Sequence, residues 1–172
     1  MMGSKMKAMK PLRVYIDTSV FGGYFDDGFS VASRRFFDTV FAGQVISLVS
    51  ETLVAELVRA PEHVQDLLDK TVQARSERLF LVPEAVALRD AYLKGEVVAP
   101  KYADDALHVA QATLARADVM ASWNFRHLVN PSRIREFNGI NLSQGYGLII
   151  VMTPAELVNI LEVESDEQET NG

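Results

Sequence analysis

The chain has 172 residues, with 17 Lys and Arg against 23 Asp and Glu, 48% hydrophobic residues and no cysteine. This length predicts one domain, and the apolar content excludes a disordered chain. The lack of cysteine excludes disulfides, thiolate nucleophiles, iron–sulfur clusters and cysteine-based zinc sites. No apolar run is long enough to cross a membrane and no secretory signal precedes residue 12, so we expect a cytoplasmic protein that does not enter a membrane.

The formal net charge of −6 restricts the way in which the protein could contact a nucleic acid. A protein that binds long duplexes by neutralising many phosphates normally carries a basic stripe. Any nucleic-acid contact of this chain is therefore expected to be local or bridged by a cation.

The first half of the chain alternates between short apolar runs, typical of buried strands, and amphipathic stretches bounded by capping residues and prolines. In chain order, this pattern predicts a strand at 12–16 that stops at Asp17, a turn at 22–28, a helix at 30–43, a strand at 45–49, a helix capped by Ser50 and ended by Pro61, a helix at 64–75 and a strand at 79–82.

The same alternation continues in the second half. Thr153 and Glu156 form a capping box around Pro154, which predicts the start of the last helix. In chain order we predict a helix at 83–95, a helix at 104–115, a strand at 118–123, a short helix at 131–137, a strand at 147–152 and a helix from 154 to about 161.

Alternating strands and helices favour an α/β fold, a three-layer α/β/α sandwich with a mainly parallel central sheet. We divide the chain into a flexible N-terminal segment (1–11), one folded domain (12–162) and a disordered acidic tail (163–172). The tail lacks apolar periodicity, and its charges predict a solvated segment.

Four polar residues are predicted to reach one edge of this sheet. Asp17 closes the first strand, Glu56 lies on the helix after the second strand, Asp105 opens a helix and Asn124 follows a strand that ends at Trp123. Ligands of such sheets bind beyond the carboxyl ends of the strands. The order of elements therefore turns four distant positions into one candidate site.

Electrostatics indicates what such a cluster would require. Two carboxylates about 5 Å apart at an effective dielectric constant near 20 repel each other by roughly 3 kcal/mol, and three cost on the order of 10 kcal/mol. The cluster must hold protons or a cation, and hard oxygen ligands select Mg²⁺ or Mn²⁺.

Each candidate also has a purely structural interpretation. Asp17 can form a turn with its own backbone, Glu56 can be an exposed helix position, and Asp104 or Asp105 can cap a helix. His108 fits a satisfied core histidine better than a ligand. Other residues fit packing, solvated positions or sites without a ligand-spaced partner: Trp123, Phe125, His63, His127, Arg34 and Arg35.

Taken together, four segments resemble the acidic blocks of the PIN domain, the nuclease fold of VapC-type toxins. These segments are 14–20 (VYIDTSV), 55–57 (AEL), 103–112 (ADDALHVAQA) and 122–128 (SWNFRHL), in the family's order. The resemblance covers about residues 12–155. It implies a PIN-like α/β/α sandwich, a pocket for Mg²⁺ or Mn²⁺, single-stranded RNA as the substrate, an antitoxin partner and a homodimer.

The resemblance also assigns roles to residues. Asp17 matches the first aspartate, Glu56 the helical glutamate and Asp105 the third acid, because the family's acid lies five residues before the alanine found here at 110. Where many toxins carry an aspartate, this chain has Asn124, which offers an oxygen with one charge fewer. We therefore expect three catalytic acids to hold one or two divalent ions, with Asn124 as a neutral ligand.

Such a site would be a metal-dependent ribonuclease, in which the ion polarises the scissile phosphate for in-line attack without a nucleophilic side chain. Candidates for phosphate contacts are Lys101, Arg126 and Arg34. The main alternative is a degenerate PIN domain that binds RNA or a protein without cleaving, which Asn124 favours. A haloacid-dehalogenase-type phosphatase is disfavoured because it needs an acid where this chain has Ser19.

Overall fold

Five parallel strands form the centre of the molecule. The computed structural model describes residues 10–172, so most of the predicted N-terminal segment 1–11 lies outside the described residues. The strand order is β3-β2-β1-β4-β5, and every neighbouring pair is parallel. The strands are β1 (Leu12–Ile16), β2 (Val45–Ser50), β3 (Ser76–Leu79), β4 (Val119–Ala121) and β5 (Val151–Met152).

Helices connect these strands and cover both faces of the sheet. They are α1 (Thr18–Gly23), α2 (Ser30–Phe41), α3 (Glu51–Leu57), α4 (Glu62–Gln73), α5 (Pro83–Lys94), α6 (Ala103–Leu114), α7 (Pro131–Ser143) and α8 (Pro154–Thr170), with a 3₁₀ turn at Pro100–Tyr102.

The side chains of β1 alternate between two hydrophobic cores, because successive residues of a strand point to opposite faces. Val14 and Ile16 belong to the core shared with α1, α2, α3, α4 and α8. Tyr15 belongs to the core shared with α5, α6 and α7. The fold class predicted from the sequence, a three-layer α/β/α sandwich with a parallel sheet, is confirmed.

Capping residues fix the starts of two helices as predicted. The Ser50 hydroxyl accepts a hydrogen bond from the Leu53 N–H at 3.1 Å, which sets the start of α3 directly after β2. At α8, the Thr153 hydroxyl accepts from the Glu156 N–H and the Glu156 carboxylate accepts from the Thr153 N–H, both at 3.1 Å.

Helix α1 was not predicted, because its last two residues are the glycines that suggested a turn. Gly23 is required there by close packing. A Cβ at this position would lie 2.7 Å from the Trp123 indole and 2.9 Å from the Ser33 hydroxyl. Gly23 therefore makes room for the indole of Trp123 inside the helix, whereas a Cβ at Gly22 would meet nothing within 4 Å.

The strand predicted at 79–82 lies three residues earlier, at Ser76–Leu79. Leu79 pairs with Ser50, the last residue of β2, and α3 begins at the residue after Ser50. Residues 80–82 therefore have no strand to pair with, and the side chain of Phe80 is 65% exposed.

Helix α7 is six residues longer than predicted and β5 is shorter than the strand predicted at 147–152. Both differences involve Asn138 on α7. Its side-chain amide donates to the Ile149 carbonyl at 3.1 Å and accepts from the Ile149 N–H at 2.8 Å. The backbone of Ile149 thus bonds to a side chain, and an asparagine with this role gives no apolar signal in the sequence.

Helix α8 continues to Thr170, whereas the prediction ended it near residue 161 and treated 163–172 as disordered. Leu157 and Val158 bury its first turns, and Glu162 pairs with Arg35 of α2. Because the start of α8 is capped and buried, the helix can extend through good helix formers such as glutamate without a further apolar face.

Within residues 10–172, no helix is both long enough and apolar enough to cross a membrane.

Replacing Thr153 by alanine tests the α8 cap. We expect Thr153→Ala to lower the free energy of unfolding by about 1 kcal/mol, because the Glu156 N–H loses its acceptor. The matched control is Thr170→Ala at the exposed end of the same helix, which should be close to neutral. Urea denaturation measures both, and equal losses for the two variants would contradict the assigned role of Thr153.

Candidate functional site

The candidate site lies where the strand order of the sheet reverses. Chain connections run from β1 outward in both directions, so the carboxyl ends of β1 and β4 flank the switch point. Asp17 directly follows β1, and Ser122 directly follows β4. The Asp17 N–H donates to the Ala121 carbonyl at 3.0 Å, which joins these two strand ends. This is the position at which open parallel sheets bind ligands.

Asp17 is held in a fixed orientation by two hydroxyl groups. It is 5% exposed, and its Oδ2 accepts from the Ser19 hydroxyl at 2.6 Å and from the Ser122 hydroxyl at 2.8 Å. The same serine oxygens accept backbone N–H groups of Trp123 and Asn124 at 2.9 and 3.0 Å. The loop after β4 is therefore anchored to the Asp17 carboxylate.

Asp105 is positioned by Asn124. The Asn124 Nδ2 donates to Asp105 Oδ2 at 3.1 Å, and the Asn124 Oδ1 accepts from the His127 N–H at 3.0 Å. Asp104, the alternative acid, is exposed, whereas Asp105 is half-buried. Both polar atoms of the Asn124 amide thus form a hydrogen bond, and its Nδ2 orients the acid.

Glu56 lies at the same edge but has different partners. Its Oε1 lies 2.9 Å from the His108 Nε2, and its Oε2 accepts from the Thr18 hydroxyl. Thr18 is the neighbour of Asp17 in the chain, and His108 lies three residues after Asp105 on α6. The structure therefore brings all three predicted acids to one region through intermediate side chains.

A buried relay extends from Glu56 into the core. His108, which is 1% exposed, places its Nδ1 2.6 Å from the Tyr15 hydroxyl, and that hydroxyl lies 2.8 Å from the Ser50 hydroxyl. Tyr15 is fully buried, and burial raises the pKa of its hydroxyl, which therefore stays protonated. The interpretation of His108 as a satisfied buried histidine is confirmed, but its partner Glu56 was not predicted.

The pKa of Asp105 is raised above its usual value. Burial is the main cause, and the negative charge of Asp17 adds to it, while the hydrogen bond from Asn124 acts in the opposite direction. The two carboxylates thus lie close enough to repel each other. A cation between them would remove that cost.

Glu56 and His108 shift in opposite directions. Burial acts to raise the pKa of Glu56, but the hydrogen bonds from His108 and Thr18 together with the His108 charge lower it. Burial acts to lower the pKa of His108, but the hydrogen bond to Glu56 and the charges of Asp17, Glu56 and Asp105 raise it. Both pKa shifts therefore favour the ionised form of the Glu56–His108 pair.

The predicted ligand set does not assemble as one metal group. Within residues 10–172, no three His, Asp or Glu side chains are close enough together to hold a metal ion. Asp17 and Asp105 each use one carboxylate oxygen in the hydrogen bonds described, and their Oδ1 atoms receive none from the described residues. Mg²⁺ is usually held by one or two carboxylates with water and substrate phosphate as its other ligands. The two aspartates fit that pattern, whereas Glu56 and Asn124 are engaged elsewhere.

Two of the three predicted phosphate-binding residues lie together beside Asp105. Lys101 Nζ is 5.0 Å and Arg126 Cζ 5.7 Å from the centroid of the Tyr102 ring, which lies 3.9 Å from the His127 ring. His127 is buried, and its ring nitrogens have no hydrogen-bond partner among the described residues. Its pKa is lowered by burial and by the neighbouring basic side chains, although Asp105 opposes this.

Arg34 lies apart from this cluster. It packs over the Tyr24 ring at 5.2 Å, and its Nε donates to the Tyr24 carbonyl at 3.2 Å, near the end of α1. Across residues 10–172, no hydrogen bond or ion pair joins Arg34 to the acids.

Sequence reasoning missed the small hydroxyl residues that organise the site. Ser19, Thr18 and Ser122 bind Asp17 or Glu56 directly. Their position just after β1 and β4 is a usable signal, because a hydroxyl group at a strand end can donate to a nearby carboxylate and accept from the loop backbone.

Comparison with known proteins shows a structural likeness. No protein-family model matches the sequence, and no curated protein matches it. A chain from the crystal structure of VapBC2 from Rickettsia felis, bound to a DNA fragment from their promoter, is similar in structure. The match has a TM-score of 0.52 and 14% identity, and it covers 83% of this chain and 98% of that chain. The two chains share a fold. This likeness supports the PIN-like architecture inferred from the four sequence blocks.

The burial of Asp105 and its repulsion by Asp17 have a measurable effect on stability. Because folding raises the pKa of Asp105, the native state binds its proton more tightly, and the resulting stability is lost as the pH rises through that pKa. Without divalent cations at pH 7, we expect Asp105→Asn to melt at a higher temperature than the wild type. The difference should vanish towards the ordinary aspartate pKa of about 3.9.

The control is Asp104→Asn, which removes an exposed charge from the same helical turn. It shares any helix-dipole effect with Asp105→Asn but leaves the carboxylate of Asp105 in place. Thermal melts in EDTA between pH 4 and 7 compare the two variants, and a lower melting temperature for Asp105→Asn than for Asp104→Asn at pH 7 would contradict the raised pKa of Asp105.

Proposed function

We propose that the protein is a PIN-type endoribonuclease that uses Mg²⁺ or Mn²⁺ to hydrolyse phosphodiester bonds in single-stranded RNA. The observation that carries this proposal is the pair of carboxylates, Asp17 and Asp105, which hydrogen bonds hold at the switch point of a parallel sheet, where burial and the charge of Asp17 raise the pKa of Asp105. Such an arrangement is costly unless a cation offsets it.

A divalent cation bound there would supply Lewis acidity to the scissile phosphate and its attacking water. The chain's own residues bind and orient. Ser19 and Ser122 fix the Asp17 carboxylate, and Asn124 fixes that of Asp105. Glu56, the third predicted catalytic acid, stays ionised at the same edge because the pKa of its carboxyl is lowered. The reaction requires no nucleophilic side chain, in keeping with a chain that has no cysteine.

The substrate proposal rests on the basic residues beside this acidic centre. Lys101 and Arg126 are exposed and converge on one aromatic ring, so a phosphate could bind between them while the next phosphate approaches Asp105. A local contact of this kind reconciles RNA binding with the net charge of −6. Arg34 would contact a more distant part of the strand.

We further propose that the protein is the toxin of a toxin–antitoxin pair and acts in the cytoplasm as a homodimer. The likeness to a chain of the VapBC2 complex supports an antitoxin partner. A small DNA-binding protein encoded in the neighbouring reading frame would support the toxin role directly.

A non-catalytic RNA- or protein-binding module is the second candidate. It is favoured by the lack, within the described part of the chain, of a three-residue metal group and by the engagement of both amide atoms of Asn124. A binding module would keep the same melting temperature when Mn²⁺ is added, whereas an enzyme that binds the ion in its native state would be stabilised.

The nuclease proposal is tested by Asp17→Asn. We expect it to lower the rate of single-stranded RNA cleavage with Mg²⁺ by at least about 100-fold, since loss of a metal carboxylate removes several kcal/mol of transition-state stabilisation. Gel-resolved cleavage of a labelled oligonucleotide measures the rate.

The matched control is Asp69→Asn, which removes an exposed carboxylate from α4 and should leave the rate unchanged. Cleavage by Asp17→Asn at the wild-type rate would end the nuclease proposal.

The substrate-binding assignment predicts a change in salt dependence. For single strands, each phosphate contact contributes about 0.7 to the slope of log K against log salt. We expect the double variant Lys101→Ala/Arg126→Ala to weaken RNA binding and to reduce the slope by about 1.4. Fluorescence anisotropy at several salt concentrations, with Asp17→Asn as the background to prevent cleavage, measures both quantities.

Lys94→Ala, at the exposed end of α5, is the control and should leave the slope unchanged. An equal slope for the double variant and this control would show that Lys101 and Arg126 do not contact phosphate. Arg34→Ala tests the remaining candidate in the same assay.

A further inference from the structure

Three aromatic side chains form a continuous surface beside the candidate site. The Phe29 ring centroid lies 4.7 Å from that of Trp123 and 6.5 Å from that of Phe125, and the last two lie 6.1 Å apart. We call Phe29, Trp123 and Phe125 the aromatic platform. Phe29 and Trp123 are half-buried, whereas Phe125 is 51% exposed. Core packing does not explain an aromatic ring with half of its surface in water.

The inner part of the platform is held by the fold. The Trp123 Nε1–H donates to the Ser33 hydroxyl at 2.8 Å, and the close approach of the indole is possible because residue 23 is a glycine. The Phe125 N–H donates to the Trp123 carbonyl at 2.9 Å, which folds the loop tightly between the two rings. A ligand that binds there therefore has little protein to order, and this favours affinity.

The loop that carries the platform is also bonded to both aspartates of the site. The Trp123 N–H donates to the Ser19 hydroxyl oxygen at 2.9 Å, and that hydroxyl donates to Asp17 at 2.6 Å. Asn124, the next residue, donates to Asp105 at 3.1 Å. A strand whose phosphate lies at the acids thus has the platform next to it.

Basic side chains adjoin the platform. Arg126 follows Phe125 in the chain and is exposed, and the exposed Arg34 lies five residues after Phe29. Among residues 10–172, neither arginine forms an ion pair. Proteins hold single-stranded nucleic acids with this combination, in which basic groups contact phosphates and aromatic rings stack on bases. An apolar segment of a protein would leave the arginine charges unmatched.

We propose that the aromatic platform is a base-stacking subsite for single-stranded RNA, with Phe125 as its exposed contact. This inference rests on the proposed ribonuclease function and adds the position of a base next to the phosphate at the acids. Stacking requires an unpaired base whose face is free, and it reads no base edge. The platform therefore selects single strands over duplexes and tolerates different sequences.

Replacing Phe125 by leucine tests the stacking. Phe125→Leu keeps an apolar side chain but loses the aromatic face, and we expect it to raise the dissociation constant for single-stranded RNA about tenfold. The slope of log K against log salt should stay unchanged, because no phosphate contact is lost. Phe125→Tyr keeps the ring and should bind as the parent does. Fluorescence anisotropy with a labelled oligonucleotide of about 12 nucleotides measures both quantities.

The parent for these variants is Asp17→Asn, assayed with Mg²⁺, which prevents cleavage and keeps an oxygen that can accept from Ser19. The matched control is Phe80→Leu, which alters a 65% exposed phenylalanine on the segment after β3 and should leave the affinity unchanged.

An oligonucleotide with abasic sites supplies the corresponding control on the ligand. It keeps the phosphates but offers no base, so the parent and Phe125→Leu should bind it equally. Trp123 is the only tryptophan of the chain, so its fluorescence reports on the platform directly. We expect the ordinary oligonucleotide to quench that fluorescence and the abasic one to leave it nearly unchanged.

The outcomes separate this inference from the proposed function. Equal dissociation constants for Phe125→Leu and Phe80→Leu, or an equal loss in Phe125→Tyr and Phe125→Leu, would overturn the stacking subsite and leave the nuclease proposal intact. The surface would then suit a protein partner. A parent that binds no RNA would overturn both the RNA substrate and the subsite. If circular dichroism shows that Phe125→Leu is unfolded, the ligand control decides, and equal affinity of the parent for ordinary and abasic strands would overturn the subsite.

Discussion

The constraint on which the site depends is the repulsion between two carboxylates that the sheet topology places side by side. Asp17 follows β1 and Asp105 lies in the first turn of α6, and hydrogen bonds from neighbouring side chains hold both carboxylates in place. Oriented hydroxyl and amide groups, rather than basic side chains, bind these two carboxylates. Ser19, Ser122 and Asn124 each donate to a carboxylate, and none of them neutralises it. The negative charge is thus kept in place and left available to a cation.

Glu56 shows the opposite solution at the same edge of the sheet. Its Oε1 is hydrogen-bonded to His108, whose own orientation depends on Tyr15 in β1. Because Tyr15 also bonds the residue that caps α3, the helix that carries Glu56 and the residue that pairs with it share one anchor. The contacts that position Glu56 are therefore also core contacts. A substitution of Tyr15 would affect Glu56 both through His108 and through the Ser50 cap of α3.

Much of the architecture follows from local chemistry that the sequence displays. Strand β1 is an apolar run that stops at an acid, and Ser50 and Thr153 cap helices where capping residues precede amphipathic segments. The sequence-based predictions of helix and strand bounds are wrong where a residue makes a contact that its type does not indicate. Gly23 admits an indole inside a helix, and Asn138 bonds the backbone of Ile149 in place of a strand partner. The acids were located by strand ends, but the partner of Glu56 was not, because helical periodicity places His108 toward the core without indicating what faces it.

The two outer strands of the sheet limit how this protein can meet another copy of itself. Strand β3 has four residues and carries Glu77 and Arg78, and Glu77 is joined to Arg13 at 2.7 Å. Strand β5 has only two residues. Short, charged margins resist the addition of a foreign strand, which is a common defence against aggregation. Two copies of this chain would therefore associate through helical faces, and their sheets would not join.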